Sequence, residues 1–374
     1  MRLLLLSLAL ITAHPAAAIR ARDFGIAPGP MPTGPLNAIT DVPGVTVGFT
    51  TLTDPSQRMR TGVTAIVPRQ DANNPMPVWA GFHALNGNGE MTGVHWINDA
   101  GYFLGPVLIT NTHGVGACHQ GAVQWMLGRY AEHFQNHHAW AMPVVAETYD
   151  GVLNDINALH VQAAHAVAAL DAATSGPVAE GSVGGGNGMI AYEFKGGTGT
   201  SSRQIQVAGQ TYTLGALVQA NYGRRHWLSV LGVPVGQAMP GGFAKKESGS
   251  IIVILATDAP LSDAILRSLA KRAGLGIARS GSPGGNSSGD IFLAFSVADP
   301  MPHPEKMGTV IQRHSLNWEV LDVLYEAAVQ AVDEAVINAL VQGEDVPTVK
   351  PAGHVVPALD TDKLLDLMRQ HGRM

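Results

Sequence analysis

Short apolar or alternating stretches, each bounded by Gly, Pro, Asn or Asp, occupy most of the chain up to residue 115 and recur shortly afterwards. Such stretches are typical of β-strands, whereas the spacing of three to four residues that marks a helix does not occur in this region. The pattern therefore predicts strands, with no helix required before about residue 115, at residues 45–49, 64–68, 78–82, 107–110 and 143–147.

Helical spacing begins at residue 117, where apolar side chains recur every three or four positions. Ser262 is the predicted N-cap of a later helix and Gly274 its predicted end, because serine caps free backbone amides and glycine commonly terminates helices. The helices predicted in this way cover residues 117–134, 157–172, 262–274, 316–341 and 360–371.

Further strands alternate with these helices in the second half of the chain. Residues 250–256 are apolar at nearly every position, which is typical of a strand covered on both faces. A glycine-rich run at residues 184–188 and a Gly/Pro-rich loop at 232–249 predict tight turns. No internal repeat or linker divides the chain, so the pattern predicts one packed α/β body. Its remaining strands are 204–207, 211–219 and 290–297.

The composition is that of a globular protein and argues against a nucleic-acid partner. The chain has 374 residues, of which 46% are hydrophobic and only 14% charged, with a net charge of −6. Lys and Arg form no run longer than a pair such as Lys245-Lys246, so the basic patch expected for nucleic-acid binding is missing. A small substrate is the expectation, and the low charge and 44 glycines favour large buried interfaces and a homo-oligomer.

Residues 1–18 have the pattern of a secretory signal peptide. Arg2 precedes an apolar core at residues 3–11, and three alanines at 16–18 form a small-residue cleavage site. The apolar core is too short to span a membrane. The pattern predicts a mature chain that begins at residue 19, lies in the periplasm or outside the cell, and has no membrane anchor.

The dipeptide Gly249-Ser250 stands where a glycine-rich loop meets the apolar strand 250–256. A serine hydroxyl pressed against the preceding carbonyl could undergo an N-to-O acyl shift, and hydrolysis of the ester would free an N-terminal serine. An α-amine has a pKa of about 7.7–8.0, suitable for a general base beside its own hydroxyl. The alternative is an ordinary Gly-Ser turn before a strand.

Two further pairs carry complementary chemistry two residues apart, which places both side chains on one face of an extended segment. Ser288 and Asp290 combine a hydroxyl with a carboxylate, and Glu147 and Tyr149 combine a carboxylate with a phenol. A carboxylate at a strand end could hold an ammonium group, and a phenol could donate to an oxyanion. The alternatives are a turn-capping Asp and a Tyr that merely opens a loop.

Other apparent signals are set aside. Residues 285–289 fit the G-x-S-x-G pattern of a nucleophile elbow, but the elbow requires a strand before it and a helix after it, the reverse of the predicted order. His133 and His137 lack a third ligand at a characteristic spacing, so a solvated helix end is the preferred interpretation. The glycine clusters match no nucleotide fingerprint. The sequence therefore indicates no metal and no cofactor.

Taken together, several motifs resemble the self-processing aminopeptidases that include the L-aminopeptidase/D-Ala-esterase and the β-peptidyl aminopeptidases. The resemblance spans nearly the whole chain from residue 19 onwards, in the family's order. The motifs that carry it are residues 143–151, Asn154-Asp155, 184–189, 218–223, Gly249-Ser250 and 288–292.

The resemblance implies a four-layer αββα sandwich similar to the N-terminal-nucleophile hydrolases but with different connectivity. It implies cleavage between Gly249 and Ser250 into an α-chain of residues 19–249 and a β-chain of residues 250–374, and an assembly of four αβ units. Some members carry Glu where this chain has Asp290, which is one methylene shorter.

The same resemblance implies roles for individual residues. Ser250 is the expected nucleophile, Ser288 and Asp290 orient and deprotonate it, Asn221 and Tyr149 stabilise the tetrahedral intermediate, and Glu147 receives the free amine of the substrate. Asn187 and Gly188 are expected to contact substrate. Whether the α-amine of Ser250 or Ser288 is the base is left open.

The expected activity is that of an autoprocessed serine aminopeptidase or amidase, acting on short peptides, amides and esters with a free amine. Release of small N-terminal L-residues is expected, with D- and β-residues left open. One alternative is an acyltransferase of related fold, although such relatives use Thr rather than Ser as nucleophile. The other is an unprocessed binding protein without catalysis.

Overall fold

The computed structural model describes residues 19–69, 74–242, 244, 246–247, 249–299 and 308–374, so the predicted signal peptide lies outside the described residues. The strands are β1 (Thr46–Asp54), β2 (Met59–Val67), β3 (Pro77–Ala84), β4 (Tyr102–Leu104), β5 (Val107–Asn111), β6 (Val144–Thr148), β7 (Ile190–Ala191), β8 (Phe194–Lys195), β9 (Gly197–Val207), β10 (Gln210–Asn221), β11 (Ser250–Thr257), β12 (Gly289–Ser296), β13 (Val346–Pro347) and β14 (Val355–Val356). The helices are α1 (Val94–Ala100), α2 (Val115–Arg129), α3 (Ala131–Asn136), α4 (Ala163–Asp171), α5 (Val235–Ala238), α6 (Asp263–Arg279), α7 (Asp322–Val341) and α8 (Thr361–Gln370).

Two mixed sheets form the centre of the molecule. One has the strand order β1-β2-β5-β6 and the other the order β4-β3-β12-β11-β10-β9. Neighbouring strands run antiparallel except for two parallel pairs, β5 with β6 and β11 with β12. The inner faces of the two sheets share one apolar core, to which Ile66 and Ile109 contribute from one sheet and Ile252, Ile254 and Leu293 from the other.

Helices cover the outer face of each sheet. Helices α2 and α4 pack on the four-stranded sheet, where Ala122 and Ala169 contact the core that includes Leu108. Helices α6 and α7 pack on the six-stranded sheet, and their apolar side chains share a core with Val253 and Leu255 of β11. The layers therefore run helix, sheet, sheet, helix, which confirms the αββα sandwich.

Strand β11 is buried at every position, as predicted from its unbroken apolar sequence. Ile252 and Ile254 face the other sheet, whereas Ile251, Val253 and Leu255 face the helices. This alternation of two residues is the pleat of a β-strand. Since both faces are occupied by apolar side chains, β11 is the central strand, and its first residue, Ser250, lies at the edge of the sandwich.

Two helix predictions were wrong. Helix α1 lies at Val94–Ala100, before residue 115; it begins after Gly93, which has a positive φ of 78°, and is too short to show a repeated apolar pattern. Helix α6 continues to Arg279, beyond the predicted end at Gly274. The glycine at 276 is needed for packing, because a Cβ there would lie 2.6 Å from Val332 Cβ.

Other boundaries moved less. The segment predicted as one helix at 117–134 is divided into α2 and α3, with Tyr130 between them, and α7 begins at Asp322 after a single 3-10 turn at Trp318–Val320. The predicted N-cap of α6 was right: the Ser262 hydroxyl accepts a hydrogen bond from the amide of Ile265. Within the described ranges, no helix combines the length and apolarity needed to cross a bilayer.

Candidate active site

Ser250 opens β11 between the ends of two neighbouring strands. In the register of the sheet it lies opposite Asn221 of β10 on one side and Gly289 of β12 on the other. The amide of Gly289 donates a hydrogen bond of 3.1 Å to Ser250 Oγ. The side chain is buried, with a relative exposure of 5%. The Ser250 hydroxyl is therefore held in place by a backbone amide, at the end of the buried strand β11.

Gly249 is required by the backbone around it. A Cβ at this position would lie 1.9 Å from the carbonyl oxygen of Asn221 and 2.8 Å from the Cα of Tyr222. No side chain fits there without displacing the end of β10. The Gly249–Ser250 peptide bond is therefore held tightly against the end of β10.

Ser288 and Asp290 lie on one face, as their spacing predicted, and they are in contact. Ser288 Oγ donates to Asp290 Oδ1 over 2.5 Å, and both residues are buried. Asn86, from the loop after β3, donates from Nδ2 to Asp290 Oδ2 over 3.0 Å and accepts from the Asp290 amide. Burial raises the pKa of Asp290, and hydrogen bonds from Ser288, Asn86 and the backbone of Ile251 oppose that rise.

The register separates this pair from the Ser250 hydroxyl. Asp290 lies beside Ile251, whose side chain faces the helices, whereas Ser250 has the same parity as Ile252, whose side chain faces the other sheet. Asp290, and Ser288 bonded to it, therefore lie on the face of the sheet opposite to Ser250 Oγ, where the Asp290 carboxylate accepts from the backbone of Ile251. The structure thus brings the three residues together at one end of the sheet, with the Ser250 side chain on one face and the Asp290 side chain on the other.

Asn221 and Tyr149 also meet. Asn221 Nδ2 donates to the carbonyl oxygen of Tyr149 over 2.9 Å, and its Oδ1 accepts from the amide of Ile190 over 2.8 Å. These two bonds fix the orientation of the amide opposite Ser250. The Tyr149 side chain is 42% exposed and lines a cleft that also contacts Asn221 and Gly249. Both predicted oxyanion donors thus line the cleft that reaches Gly249.

Glu147 is a buried carboxylate at the end of β6. Its Oε1 accepts from the amide of Glu90 over 3.0 Å, and its Oε2 accepts from the hydroxyl of Thr112. Burial is the main reason that its pKa is raised. A Cβ placed on Gly89 would lie 3.3 Å from both Glu147 Oε1 and Gly289 Cα, so only the width of a glycine separates the carboxylate from the Ser250 neighbourhood.

Asn187 and Gly188 occupy a different place. Asn187 Nδ2 donates to Leu52 O, Thr53 Oγ1 and Thr61 O, and the residue is 1% exposed. Its contacts fasten the Gly184–Gly188 turn to β1 and β2 and include none of the other predicted site residues. The assignment of these two residues to substrate binding therefore stays a prediction.

Several members of the site were missed from the sequence. Asn86, the Gly289 amide, Thr112 and the Glu90 amide all contact predicted site residues. The alternating Asn-Gly run that starts at Asn86, directly after a buried strand, was the available signal, because such runs form turns at sheet ends. The two histidines set aside earlier differ in burial: His133 is buried against Phe134, whereas His137 is exposed as expected.

The rejection of the nucleophile-elbow pattern is confirmed, because helix α6 precedes residues 285–289 and strand β12 begins at the last of them. In the described part of the chain, no group of three or more His, Cys, Asp or Glu side chains is arranged to hold a metal ion. The chemistry that the arrangement offers is that of a hydroxyl, backbone and amide donors, and two buried carboxylates.

Comparison with known proteins places this arrangement in a family. Residues 37–354 match peptidase family S58. The chain is 43% identical over 378 residues to the β-peptidyl aminopeptidase BapA of Sphingosinicella microcystinivorans, covering 95% of this chain and 93% of that protein.

Two solved structures resemble the fold closely. The L-aminopeptidase D-Ala-esterase/amidase of Ochrobactrum anthropi, described as a prototype of the serine aminopeptidases and a new variant of the Ntn hydrolase fold, superimposes with a TM-score of 0.90 at 53% identity, over 95% of this chain and 99% of that one. A β-aminopeptidase of Burkholderia sp. gives 0.85 at 46% identity, over 95% and 99%. The chain therefore belongs to peptidase family S58 and is a hydrolase of the serine aminopeptidase group.

Proposed function

We propose that this aminopeptidase matures by cutting its own chain between Gly249 and Ser250. Ser250 Oγ attacks the Gly249 carbonyl carbon, the C–N bond breaks, and the hydroxyl proton passes to the released amine. Water then hydrolyses the ester and leaves a carboxylate on Gly249. The tight packing of Gly249 against Asn221 O supports this step, because it fixes the scissile carbonyl next to the serine.

In the mature enzyme, the freed α-amine of Ser250 acts as the base. Its ordinary pKa of about 7.7–8.0 suits it to take the Oγ proton near neutral pH. Ser288 and Asp290 hold this amine in place; the Asp290 carboxylate already accepts from the backbone of Ile251, the next residue along β11. The Ser288 hydroxyl already donates its proton to Asp290, so it is better placed to orient the amine than to accept a proton from Oγ.

The substrate is a short peptide, amide or ester whose free ammonium binds Glu147. Ser250 Oγ attacks the first carbonyl, Asn221 and Tyr149 donate to the oxyanion, and the leaving amine takes the proton from the Ser250 amine. Water then releases the acyl group as a free amino acid. The names of the relatives support L-, D- and β-aminoacyl groups as candidates for this group.

We further propose that the enzyme works in the periplasm or outside the cell as four αβ units. The apolar core and small-residue site within residues 1–18 support export. The low fraction of charged residues supports large buried interfaces. Size-exclusion chromatography with light scattering of the purified enzyme would measure the assembly directly.

The observation that carries the proposal is the Ser250 hydroxyl, fixed by the Gly289 amide and directly preceded by a glycine that nothing else can replace. Ser250→Ala should give a folded, full-length chain with no turnover of aminoacyl p-nitroanilides. Mass spectrometry and a denaturing gel report the cleavage, and Ser287→Ala, in the loop before β12, is the matched control. Two fragments from the Ser250→Ala chain would show that another group cuts the bond.

A further inference from the structure

A second carboxylate-binding position lies at the end of β10, two residues beyond Asn221. The amide of Gly223 donates a hydrogen bond of 2.9 Å to Glu247 Oε1. The charge of Arg224, the next residue along the chain, favours the ionised form of the same Glu247 carboxylate. A backbone amide and a guanidinium beside it are a common pair of partners for a carboxylate.

The carboxylate that occupies this position belongs to the segment just ahead of the cleavage point. Glu247 is three residues before Ser250, and it packs so closely on Gly285 that a Cβ there would lie 1.5 Å from Glu247 Oε2. Burial and the nearby charge of Asp290 raise the pKa of Glu247. Glu247 therefore occupies this position in the uncut chain, and the proposed cleavage would free the chain end two residues after it, at Gly249.

Arg224 stays behind when that segment moves. Its Nε lies 3.8 Å from Glu193 Oε1, and its side chain is about one fifth exposed. Glu193 Oε2 accepts from the amide of Arg225, and Glu193 Oε1 accepts from the amide of Ala244, which lies in the same segment as Glu247. Departure of Glu247 would thus leave the guanidinium with Glu193 as its one carboxylate partner among the described residues and with an accessible face in the cleft.

The position of Arg224 relative to Ser250 identifies what could replace Glu247. Arg224 lines the cleft that Tyr149, Asn221 and Gly249 also line, on the β10 side of the nucleophile. Glu147 approaches from the opposite, β12 side through Gly89 and Gly289. A substrate whose ammonium binds Glu147 and whose first carbonyl lies at Ser250 extends its leaving portion toward Arg224.

We infer that the Gly223 amide and the Arg224 guanidinium bind the terminal carboxylate of the leaving portion, and that Glu247 occupies this site before maturation. The inference rests on the proposed function and narrows its substrate class to di- and tripeptides with a free C-terminus, in preference to their amides. Such a site would recognise a short peptide at both ends, by its ammonium at Glu147 and its carboxylate at Arg224.

The test compares an alanylglycine-type dipeptide acid with its C-terminal amide, measured with the mature enzyme. For Arg224→Met, kcat/KM for the acid should fall about tenfold further than kcat/KM for the amide, the size expected for a lost charged hydrogen bond. Arg224→Lys is the matched control and should retain part of the preference. An equal fall for acid and amide, or no fall for either, would overturn the inference.

A second measurement needs no variant and covers the case in which Arg224→Met does not fold or mature. In the wild-type enzyme, KM should be several-fold lower for the acid than for the amide, and the difference should shrink as salt is added, because salt screens exposed charges. Equal KM values at low salt would overturn the inference. Turnover of aminoacyl p-nitroanilides is the separate test of the proposed function; its absence would overturn both proposals.

Discussion

Two buried glutamates show opposite ways of keeping a negative charge inside this protein. Glu334 of α7 is fully buried and accepts from three partners: the Arg22 guanidinium, the Arg203 guanidinium at 2.7 Å, and the amide of Asn37. Glu147 at the end of β6 is nearly as buried, yet it accepts only from the Glu90 amide and the Thr112 hydroxyl. In the part of the chain that the structure describes, no Lys or Arg pairs with it.

The difference distinguishes a charge that holds the fold from a charge kept for a ligand. Two cations around Glu334 join the N-terminal segment, β9 and α7, so its pairing is complete within the protein. Glu147 has hydrogen bonds but, within the described ranges, no Lys or Arg counter-ion, and burial raises its pKa by more than its hydrogen bonds and the charge of His113 lower it. In the proposed function, an ammonium from a substrate supplies the missing charge.

The largest effect is expected from neutralising Glu334, the carboxylate that is paired with two arginines. Glu334→Gln leaves the fully buried Arg203 without its counter-charge and should lower the free energy of unfolding by about 3–5 kcal/mol. Urea unfolding followed by circular dichroism measures the change. Glu326→Gln, at an exposed position of the same helix, is the control and should change stability little. A loss of less than about 1 kcal/mol in the free energy of unfolding would show that the Glu334 ion pairs do not hold the fold together.

Neutralising the unpaired carboxylate, Glu147, should lower activity and leave stability unchanged or higher. Glu147→Gln should lower kcat/KM for substrates with a free amine about 100-fold, equivalent to about 2.7 kcal/mol, while the urea midpoint stays equal or rises. Stability does not fall because the raised pKa of Glu147 means that the folded state disfavours its ionised form, so loss of that charge removes a cost.

The matched control for that variant is Glu90→Gln. Glu90 is exposed, and its backbone amide still donates to Glu147 after the substitution. Kinetics with aminoacyl p-nitroanilides and urea unfolding should be measured for both variants in parallel. Equal kinetic losses in the two variants would show that the general negative charge of the cleft, rather than Glu147, attracts the amine.

A smaller effect should appear in the pH dependence. Glu147 must be ionised to bind an ammonium, and its pKa is raised above 4.5, so kcat/KM for free-amine substrates should begin to fall at a higher pH than an ordinary glutamate would give. An ester substrate without an amine should keep the acid limb set by the Ser250 amine, which is the proposed base, and should lack this additional one. Rate profiles between about pH 4 and 8 measure it. The same limb with both substrates would assign it to another group, such as Asp290, whose pKa is also raised.

Features that depend on neighbouring residues in the chain could be predicted from the sequence. The unbroken apolar run of β11 and the two-residue spacing of Ser288 and Asp290 were sufficient to predict a buried strand and two side chains on one face, which the structure contains. Helix α1 was missed because seven residues do not repeat a pattern. Helix α6 was predicted too short because Gly274, which lies inside the helix, looks the same in sequence as a glycine that ends a helix.

The parts of the site that could not be predicted come from contacts across long stretches of chain. Asn86 meets Asp290 across 204 residues, and the Gly289 amide meets Ser250 across 39. The division of faces between Ser250 and Asp290 follows from the parallel register of β11 and β12, which no single segment specifies. Asn187 was assigned by resemblance alone, and its contacts with β1 and β2 suffice to explain an asparagine at that position.

The antiparallel ladder between β10 and β11 has a consequence for how the protein recovers from denaturation. Residues 214–221 pair in register with residues 250–257, so a break at the Gly249–Ser250 bond divides one sheet between two polypeptides that remain interlocked. If the proposed cleavage occurs, the halves separated by denaturant must find each other by diffusion, and the yield of renatured enzyme should depend on protein concentration in a way that the uncut chain does not share.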